Sequence, residues 1–550
     1  MREGASREGE GMLGTMQNWP LLIHKVIDHA AAEHGGREVV TRTVEGPIRS
    51  TTYADIRRRA LRVAKRLEKE GIKPGDRVAT LAWNTSRHLE TWYGITGLGA
   101  IYHTINPRLF AEQILWIAND AEDRLLLLDL TFLPLIEQLA PQLKTIEKFI
   151  ILTDAANMPH TTLKGAVDYE SWIAEADEDF RWVDLDENAA AGLCYTSGTT
   201  GHPKGVLYSH RSNVIHAMCA AMPNVLGLGM RDTIMPIVPL FHANSWSIAF
   251  CAPMNGAKLV MPGPRLDGAS VYELLEREQV NITAGVPTVW MMLLQHMEKN
   301  RLKFSSLKKI VVGGSAAPRA MIEAFEKLHG VEFVHAWGMT EMSPIGTVST
   351  LKPALGRLEG DAAIDMKATQ GWTPFTVEQK IVDDEGREKP HDGVAFGRLL
   401  VKGVAVAGGY FKGSGAEAFD AGGWFDTGDV ASIDANGYMR ITDRAKDVIK
   451  SGGEWISSID IENLAVAHPD VAEAAVIGVP HPKWDERPLL IVVPKEGRQI
   501  DPAQVLEFVG EKLAKWQRPD ECRVVAEIPH TATGKINKLR LRQDFKAAGG

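Results

Sequence analysis

The spacing of apolar and polar residues changes along the chain, and it predicts helices and strands that follow one another in alternation. Apolar side chains recur at helical spacing over residues 21–34 and again over residues 55–70, where a glycine and a proline end the pattern. Residues 77–83 predict a strand, and residues 86–98 predict the next helix. This strand–helix alternation predicts an α/β fold built in layers.

The alternation continues through the second half of the chain. Strand–helix units are predicted at residues 258–278 and 281–298. A strand over residues 308–312 leads through a glycine turn into a helix that Pro318 should open and Gly330 should close. The whole chain is therefore expected to be a multi-domain protein of the α/β or α+β class.

The length of 550 residues exceeds one ordinary hydrophobic core, so several domains are expected. We predict a disordered extension over residues 1–17 and a large domain over residues 18–442. After a short connection, residues 448–550 should form a small α/β domain with its own core.

Composition narrows the class of protein. A formal net charge of −9 offers no basic field for a nucleic acid. No run of about 18 apolar residues is present, so no transmembrane helix is expected. The first 14 residues lack the apolar core of a secretory signal, and the four cysteines show no C-x-x-C spacing. Free thiols in a reducing compartment, the cytoplasm, are the expected state.

The loop over residues 195–205 is the strongest candidate site. It follows the predicted strand 189–195 and holds three glycines, four aliphatic hydroxyls and Lys204. Glycines let backbone N–H groups point into one concavity, which attracts phosphate oxygens. Gly205 follows Lys204, so this is not the G-x-x-x-x-G-K-[ST] loop. From its composition alone, a solvated surface loop is an equally good interpretation.

Three further segments carry chemistry. Residues 337–341 place an aromatic ring, a hydroxyl and a carboxylate after a predicted strand, which suits adenine, phosphate and magnesium. Asp429 lies in a turn where a carboxylate could accept ribose hydroxyls. Lys535 lies in a glycine loop near the end and could enter a cleft. Each segment also has a structural interpretation without function. Thr340 could be an N-cap residue at a strand end, Asp429 could belong to an ordinary turn, and Lys535 could be a solvated surface lysine.

The order of these motifs resembles the adenylate-forming superfamily, which includes acyl-CoA synthetases. T-S-G-T-T-G-x-P-K-G at residues 196–205 is similar to its phosphate loop, and W-G-M-T-E, T-G-D and P-x-T-x-x-G-K follow in family order. The segments around residues 92–94 and 103–107 look most like the medium-chain fatty acyl-CoA synthetase branch, which is similar to 3-methylmercaptopropionyl-CoA ligases.

The resemblance implies an ATP-dependent acid–thiol ligase that forms an acyl-adenylate and then a coenzyme A thioester. Thr340, Glu341, His242 and Lys535 would serve catalysis, and Thr196 and Glu341 would hold Mg²⁺. The implied ATP- and AMP-binding residues are Thr196, Ser197, Gly198, Thr199, Thr200, Gly201, Lys204, Gly314, Ser315, Ala316, Ala336, Trp337, Gly338, Met339, Asp429, Ile441, Arg444 and Lys535.

The resemblance also implies a small β subdomain and a mobile C-terminal lid that turns about a hinge at residues 443–447, centred on Lys446. The implied coenzyme A contacts are Lys450, Ser451, Gly452, Gly453 and Glu454, and the implied acyl pocket is His242, Trp246, Gly313 and Gly338. A bulky tryptophan would suit a short or medium chain. Asp485 departs from the family, which often has glycine there. A homodimer is usual in the family, although no feature of this sequence indicates one.

Two other classes stay open on the residues alone. A phosphate-loop NTPase would release ADP and phosphate without any carboxylic acid, and the missing Ser or Thr after Lys204 counts against it. A regulatory nucleotide-binding protein would lack catalysis, and the presence of Thr340, Glu341 and Lys535 together counts against that.

Overall fold

The structure is a computed structural model that describes residues 14–196, 202–451, 454–530 and 536–546. The described residues form 24 strands and 15 α-helices. The strands are β1 (Glu38–Arg42), β2 (Ile48–Thr52), β3 (Arg77–Leu81), β4 (Ile101–Thr104), β5 (Leu125–Leu128), β6 (Lys148–Ile151), β7 (Val167–Asp168), β8 (Ala190–Tyr195), β9 (Gly205–Ser209), β10 (Thr233–Pro236), β11 (Lys258–Met261), β12 (Ile282–Gly285), β13 (Lys309–Val312), β14 (Glu332–Gly338), β15 (Ile345–Val348), β16 (Val377–Val382), β17 (Phe396–Gly403), β18 (Phe425–Ile433), β19 (Met439–Arg444), β20 (Ile449–Ser451), β21 (Glu454–Ile456), β22 (Val471–His481), β23 (Asp485–Pro494) and β24 (Glu521–Val524).

Most of the helices occur, in chain order, between strands that belong to the first two sheets. They are α1 (Ile23–Glu33), α2 (Tyr53–Lys69), α3 (Ser86–Gly97), α4 (Ala111–Ala121), α5 (Leu133–Leu139), α6 (Tyr169–Ala174), α7 (His210–Ala221), α8 (Ile248–Met254), α9 (Gly268–Arg277), α10 (Pro287–Asn300), α11 (Arg319–Glu323), α12 (Gly360–Ala368), α13 (Ser458–Val466), α14 (Pro502–Gly510) and α15 (Lys538–Lys546). Among the described residues, no helix has both the length and the apolar character to cross a membrane.

Four sheets organise these elements. The first has the order β7-β6-β5-β3-β4-β8-β9, and the second β15-β14-β13-β12-β10-β11-β1-β2. Both are mainly parallel, with antiparallel strands at their edges. The third is the antiparallel sheet β16-β17-β18-β19, and the fourth is β21-β20-β23-β22 with β24 beside β23. The predicted α/β class is confirmed.

Side-chain caps explain where the early helices begin. Thr52 accepts a hydrogen bond from the backbone N–H of Asp55, and Asp55 accepts one from the backbone of Thr52, which is a capping box at the start of α2. Thr85 caps α3 in the same way through the N–H of His88. The helices predicted over residues 55–70 and 86–98 are therefore found within a few residues.

A buried aromatic core joins the first two sheets. Trp92 of α3 stacks on Tyr102 of β4, with ring centroids 4.4 Å apart. Tyr53 donates a hydrogen bond to the carbonyl of Ala257 (2.6 Å), and Tyr93 donates one to the carbonyl of Ala249 (2.9 Å). These phenols span the boundary between the sheets, so the two layers share one core.

The prediction for Pro318 was wrong by one position. Pro318 is the extended residue before α11, with ψ of 138°, and the helix starts at Arg319. The carbonyl of Pro318 accepts the N–H of Met321, so proline caps the helix instead of opening it. The α-helix also ends at Glu323 and continues as a π-turn over Ala324–Leu328, so Gly330 does not close one regular helix.

Candidate active site

The structure describes the two ends of the predicted phosphate loop, Thr196 on one side and Lys204 on the other. The N–H of Thr196 donates to the carbonyl of Lys204 (2.9 Å), and the hydroxyl of Thr196 accepts the N–H of Lys204 (3.1 Å). Before the loop, Tyr195 donates a hydrogen bond to Asp120 (2.6 Å). The strands β8 and β9 thus close the loop at its base. The predicted residues between these ends, Ser197, Gly198, Thr199, Thr200 and Gly201, lie outside the described residues.

Thr340 and Glu341 lie in a buried turn after β14. Their exposed fractions are only 9% and 5%. The hydroxyl of Tyr208, in β9, donates to the carbonyl of Thr340 (2.7 Å). The N–H of Ala407 donates to the carbonyl of Glu341 (2.7 Å). The phosphate-loop strand and the third sheet therefore fix the backbone of this turn from two sides.

Tyr410 connects Glu341 to Lys204. Its hydroxyl donates to Oε1 of Glu341 at 2.6 Å, and Nζ of Lys204 lies 4.9 Å from the centre of its ring. Burial and the nearby Glu341 carboxylate raise the pKa of Tyr410, so the phenol remains a donor. Lys204 also pairs with Glu417 (3.6 Å), whose side chain is exposed.

The predicted adenine side packs against the core of the third sheet. Trp337, Met339 and Ile441 join one cluster with Tyr410. A side chain at Gly346 would collide with the Trp337 ring, at 2.6 Å from Cζ3, so glycine is needed there for the ring to lie flat. Nearby predicted residues occupy the ends of β13 and β14: Gly313, Gly314, Ser315, Ala316, Ala336 and Gly338.

Asp429 faces Arg444 across the β18–β19 pair. Nε of Arg444 lies 3.0 Å from Oδ1 of Asp429, which is buried, while the arginine side chain is 40% exposed. Arg444 also donates to the carbonyl of Thr427 (3.2 Å). The predicted pair is thus brought together, with the carboxylate held inside and the guanidinium at the surface.

The predicted acyl-pocket residues lie at or beyond the carboxyl ends of β10, β13 and β14 in the second sheet. His242 is exposed and precedes a turn, whereas Trp246 is buried in that turn. A side chain at Gly313 would meet the Trp246 ring at 2.8 Å and the carbonyl of Ala336 at 2.7 Å. Because only glycine fits, the indole rests directly on the backbone of Gly313.

The turn that carries Trp246 is left-handed. Five consecutive residues from Ala243 to Ser247 have φ between 43° and 61°, although none is glycine. Asn244 anchors the turn: it accepts the Tyr102 hydroxyl (3.0 Å) and donates to Asn213 (3.2 Å). At the end of the turn, Ser247 lies 2.7 Å from Nδ1 of His216.

The hinge and hairpin residues lie beside the fourth sheet. Lys446 follows β19 and precedes β20, and Ser451 pairs with Glu454 across the β20–β21 hairpin. The N–H of Lys450 donates to Glu486 (3.0 Å), and Ser451 accepts a hydrogen bond from Arg487 (3.2 Å). Glu486 and Arg487 both belong to β23, and Ile449 and Ile456 of the hairpin pack in one core cluster with α13 and α14. The predicted residues Gly452, Gly453 and Lys535 lie outside the described residues.

Asp485, the departure from the family pattern, has φ of 64°. This is the left-handed region, which glycine adopts at no steric cost. Aspartate is among the residues that tolerate it. The departure therefore keeps the backbone conformation that a glycine would provide.

Several residues that shape the site were not predicted. Tyr208 is 132 positions from its partner Thr340, and Tyr410 is 69 positions from Glu341. The ion pair of Glu417 with Lys204 and the hydrogen bond between Tyr102 and Asn244 were not predicted either. A tyrosine in a strand carries no sign of a distant partner, so no signal in the sequence could have found the hydrogen bond from Tyr208 to Thr340.

Comparison with known proteins places the chain in one family. Residues 27–411 match the family described as AMP-binding enzyme, and residues 460–535 match the AMP-binding enzyme C-terminal domain. A 3-methylmercaptopropionyl-CoA ligase of Ruegeria lacuscaerulensis is 48% identical over 537 residues, covering 98% of this chain and 99% of that protein. A medium-chain-fatty-acid–CoA ligase of Ectopseudomonas oleovorans is 47% identical, covering 97% and 98%.

Solved structures agree with this placement. The anthranilate CoA ligase AuaEII in complex with anthranoyl-AMP superimposes with a TM-score of 0.83 at 28% identity, covering 96% of this chain and 99% of that one. The chain therefore belongs to the AMP-binding enzyme family and is an AMP-forming acid–CoA ligase.

Proposed function

We propose that this ligase activates a short or medium-chain carboxylic acid, either 3-methylmercaptopropionate or a medium-chain fatty acid. The observation that carries the proposal is the buried indole of Trp246 resting on Gly313. In this proposal the indole closes the end of the acyl slot, and a bulky ring there would leave little room for a long alkyl chain. The two bacterial relatives are similar to this chain to nearly the same degree, and their names support 3-methylmercaptopropionate and a medium-chain fatty acid respectively.

The first half reaction would take place at the Thr340–Glu341 turn. The acid's carboxylate oxygen attacks the α-phosphorus of ATP, and the bond from that phosphorus to the bridging oxygen breaks, so pyrophosphate leaves with the electron pair. In this proposal the loop 196–204 holds the β- and γ-phosphates, Thr340 holds the α-phosphate, and Lys535 stabilises the charge that builds there.

Trp337 would cover adenine, and Asp429 would accept hydrogen bonds from the ribose hydroxyls. The Asp429 carboxylate is suited to this because Arg444 holds one of its oxygens from the surface side. His242, at the mouth of the acyl slot, would contact the acid.

Mg²⁺ would be held by Glu341 and Thr196. Both offer hard oxygen donors, and Mg²⁺ commonly uses one or two protein ligands together with phosphates. The described part of the chain holds no cluster of three or more His, Cys, Asp or Glu side chains suited to a metal. A bound Mg²⁺ would neutralise phosphate charge, while Tyr410 orients the Glu341 carboxylate toward the site.

The second half reaction would follow a rotation of the C-terminal unit about Lys446. The thiol of coenzyme A attacks the acyl carbonyl carbon, and AMP leaves with the electrons of the broken carbon–oxygen bond. The hairpin at residues 450–454 would then guide the pantetheine arm. A rotation of this kind is supported by the position of Lys446 between the third and fourth sheets.

The test is acid-dependent pyrophosphate release, measured with ATP and Mg²⁺, with and without coenzyme A. The panel contains acetate, butyrate, hexanoate, octanoate, palmitate, 3-methylmercaptopropionate and 4-coumarate. We expect the highest kcat/KM at short thioether or medium-chain acids. A maximum at palmitate or 4-coumarate would contradict the proposed substrate class. No acid-dependent release with any member of the panel would place the preferred acid outside the proposed class.

A cytoplasmic location and a homodimer complete the proposal. All four cysteines are free and buried, which suits a reducing compartment. Analytical ultracentrifugation tests the dimer, since the monomer mass is 60.4 kDa.

A further inference from the structure

A polar cavity lies away from the Thr340–Glu341 turn, in the crevice between the first and second sheets. Its volume is about 400 Å³, near the lower end of the range for small-molecule sites. The β1–β2 hairpin forms one wall. The segments that follow β5 and β6 and the start of α3 form the other. None of the predicted catalytic or nucleotide-binding residues lines it.

The crevice coincides with a topological switch point of the first sheet. β3 and β5 are parallel neighbours, with Leu81 paired to Leu128 at their carboxyl ends. The chain leaves β3 through α3 toward β4 on one side, and leaves β5 through α5 toward β6 on the other. The two crossovers therefore diverge at this point. Open α/β sheets bind ligands in the crevice that such a divergence creates.

Asp129 provides an independent sign of a ligand. It follows β5 directly, lines the cavity and is 1% exposed. Its Oδ2 accepts the N–H of Trp83 at 2.7 Å, whereas Oδ1 accepts no hydrogen bond from any residue that the structure describes. Burial raises the pKa of Asp129 to about 7. A buried carboxylate oxygen without a donor is costly, so it calls for a partner.

The arginines of the cavity do not supply that partner. Arg87 donates to Glu45 (2.6 Å) and Glu170 (2.8 Å). Arg59 pairs with Glu90 (2.9 Å) and with Glu170 (3.0 Å). Arg59 and Arg87 are thus paired with carboxylates, and the remaining charged groups of the lining are one guanidinium, Arg49, and two carboxylates, Asp154 and Asp129.

We propose that this cavity binds a small organic amine whose ammonium group donates to Oδ1 of Asp129. A charged donor suits a buried carboxylate better than a neutral hydroxyl, because an ammonium group adds the attraction between opposite charges to the hydrogen bond. The matched charges elsewhere in the lining disfavour an anion. This cavity is separate from the proposed acid-activating site, so the amine-binding proposal does not depend on the proposed function.

The test is isothermal titration calorimetry of the full chain with methylamine, ethanolamine and putrescine, with erythritol as an uncharged probe of similar size. We expect saturable binding of at least one amine and weaker or no binding of erythritol. Asp129→Asn should weaken that binding at least tenfold, while Asp384→Asn, an exposed carboxylate in a loop, should leave it unchanged. No saturable amine binding up to about 10 mM, or equal binding of erythritol, overturns the proposal.

A second variant keeps the test decisive if Asp129→Asn unfolds. Ser50 is exposed in the edge strand β2 and lines the cavity, so Ser50→Trp should fill the entrance and abolish amine binding. Circular dichroism confirms that each variant is folded. Amine binding that survives in folded Ser50→Trp and Asp129→Asn overturns the proposal.

The pH dependence gives a further readout. An amine that needs ionised Asp129 should bind about tenfold more tightly at pH 8 than at pH 6, because a group with pKa near 7 is mostly protonated at the lower pH. An amine affinity that does not change over this range counts against Asp129 as the partner. The other charged or titratable groups facing Asp129 are Arg87, His88 and Glu90 of α3, Arg59 of α2, Glu45 and Arg49 of the hairpin, Glu170 of α6 and Asp154 after β6.

Discussion

Tyr410→Phe removes one hydroxyl and leaves the ring that Lys204 approaches. In the structure this hydroxyl lies 2.6 Å from Oε1 of Glu341, whose side chain is almost fully buried. The substitution therefore leaves a buried carboxylate oxygen without its donor. If Glu341 holds Mg²⁺ as proposed, the carboxylate would be less well oriented and ATP use would suffer.

The size of the effect follows from the kind of hydrogen bond. A hydrogen bond to a charged group contributes about 1.5–3 kcal/mol. At 1.36 kcal/mol for each factor of ten, kcat/KM for ATP should fall by roughly 10- to 150-fold. The Mg²⁺ concentration that gives half the maximal rate should rise as well.

The assay is pyrophosphate release at saturating acid, with ATP and Mg²⁺ varied in turn. Tyr438→Phe is the matched control, because that hydroxyl donates to the carbonyl of Thr350 at 2.8 Å and accepts the N–H of Lys352 at 2.8 Å, but lies outside the proposed site. The control should keep kcat/KM for ATP within about threefold of wild type, because both hydrogen bonds that it loses are to neutral backbone groups outside that site.

One result would refute the reasoning. If folded Tyr410→Phe loses less than threefold in kcat/KM and keeps the wild-type Mg²⁺ dependence, Tyr410 does not orient a functional carboxylate. If the control loses as much as Tyr410→Phe, the effect comes from general loosening of the third sheet.

Three other substitutions test separate parts of the site. Lys446→Pro should spare adenylate formation, measured as acid-dependent pyrophosphate release in a single turnover, and should block thioester formation; equal loss of both half reactions contradicts the hinge. Trp246→Ala should move the acid preference toward chains longer than octanoate, measured as kcat/KM across the panel, and should lower stability by about 3–5 kcal/mol; an unchanged preference would rule out the indole as the wall of the slot. Glu417→Gln should lower KM for ATP by no more than about fivefold, because an exposed ion pair to Lys204 is worth about 1 kcal/mol at most. A rise in KM would mean that Glu417 helps to bind ATP.

The sequence predicted the elements better than their partners. Helices α2 and α3 were foreseen because caps and apolar spacing are local signals. The roles of the motif residues stay predictions from the resemblance, which gives their positions in the chain but not their contacts. The hydrogen bond from Tyr208 to Thr340 was not predicted, because Tyr208 lies in the first sheet and Thr340 follows a strand of the second, and neither residue type indicates such a partner.

The left-handed turn shows why the rest could not be predicted. Left-handed backbone is normally signalled by glycine, and Ala243–Ser247 contains none. Tertiary contacts impose the conformation: the Tyr102 hydroxyl on Asn244 comes from a strand 142 residues earlier in the chain. Pro318 shows the smaller error, because a proline can either cap or open a helix and the sequence does not distinguish the two.

The left-handed turn also bears on how the acid preference of this enzyme could evolve. Each non-glycine residue in that conformation costs roughly 1–2 kcal/mol, so the five together require several kcal/mol of compensation from the buried contacts around them. Substitution of Tyr102, Asn213 or Asn244 would remove hydrogen bonds that hold the turn, so the strained backbone would relax and the segment would lose this conformation. A lineage that changes substrate is therefore expected to vary the side chain at position 246 and to keep the backbone beneath it.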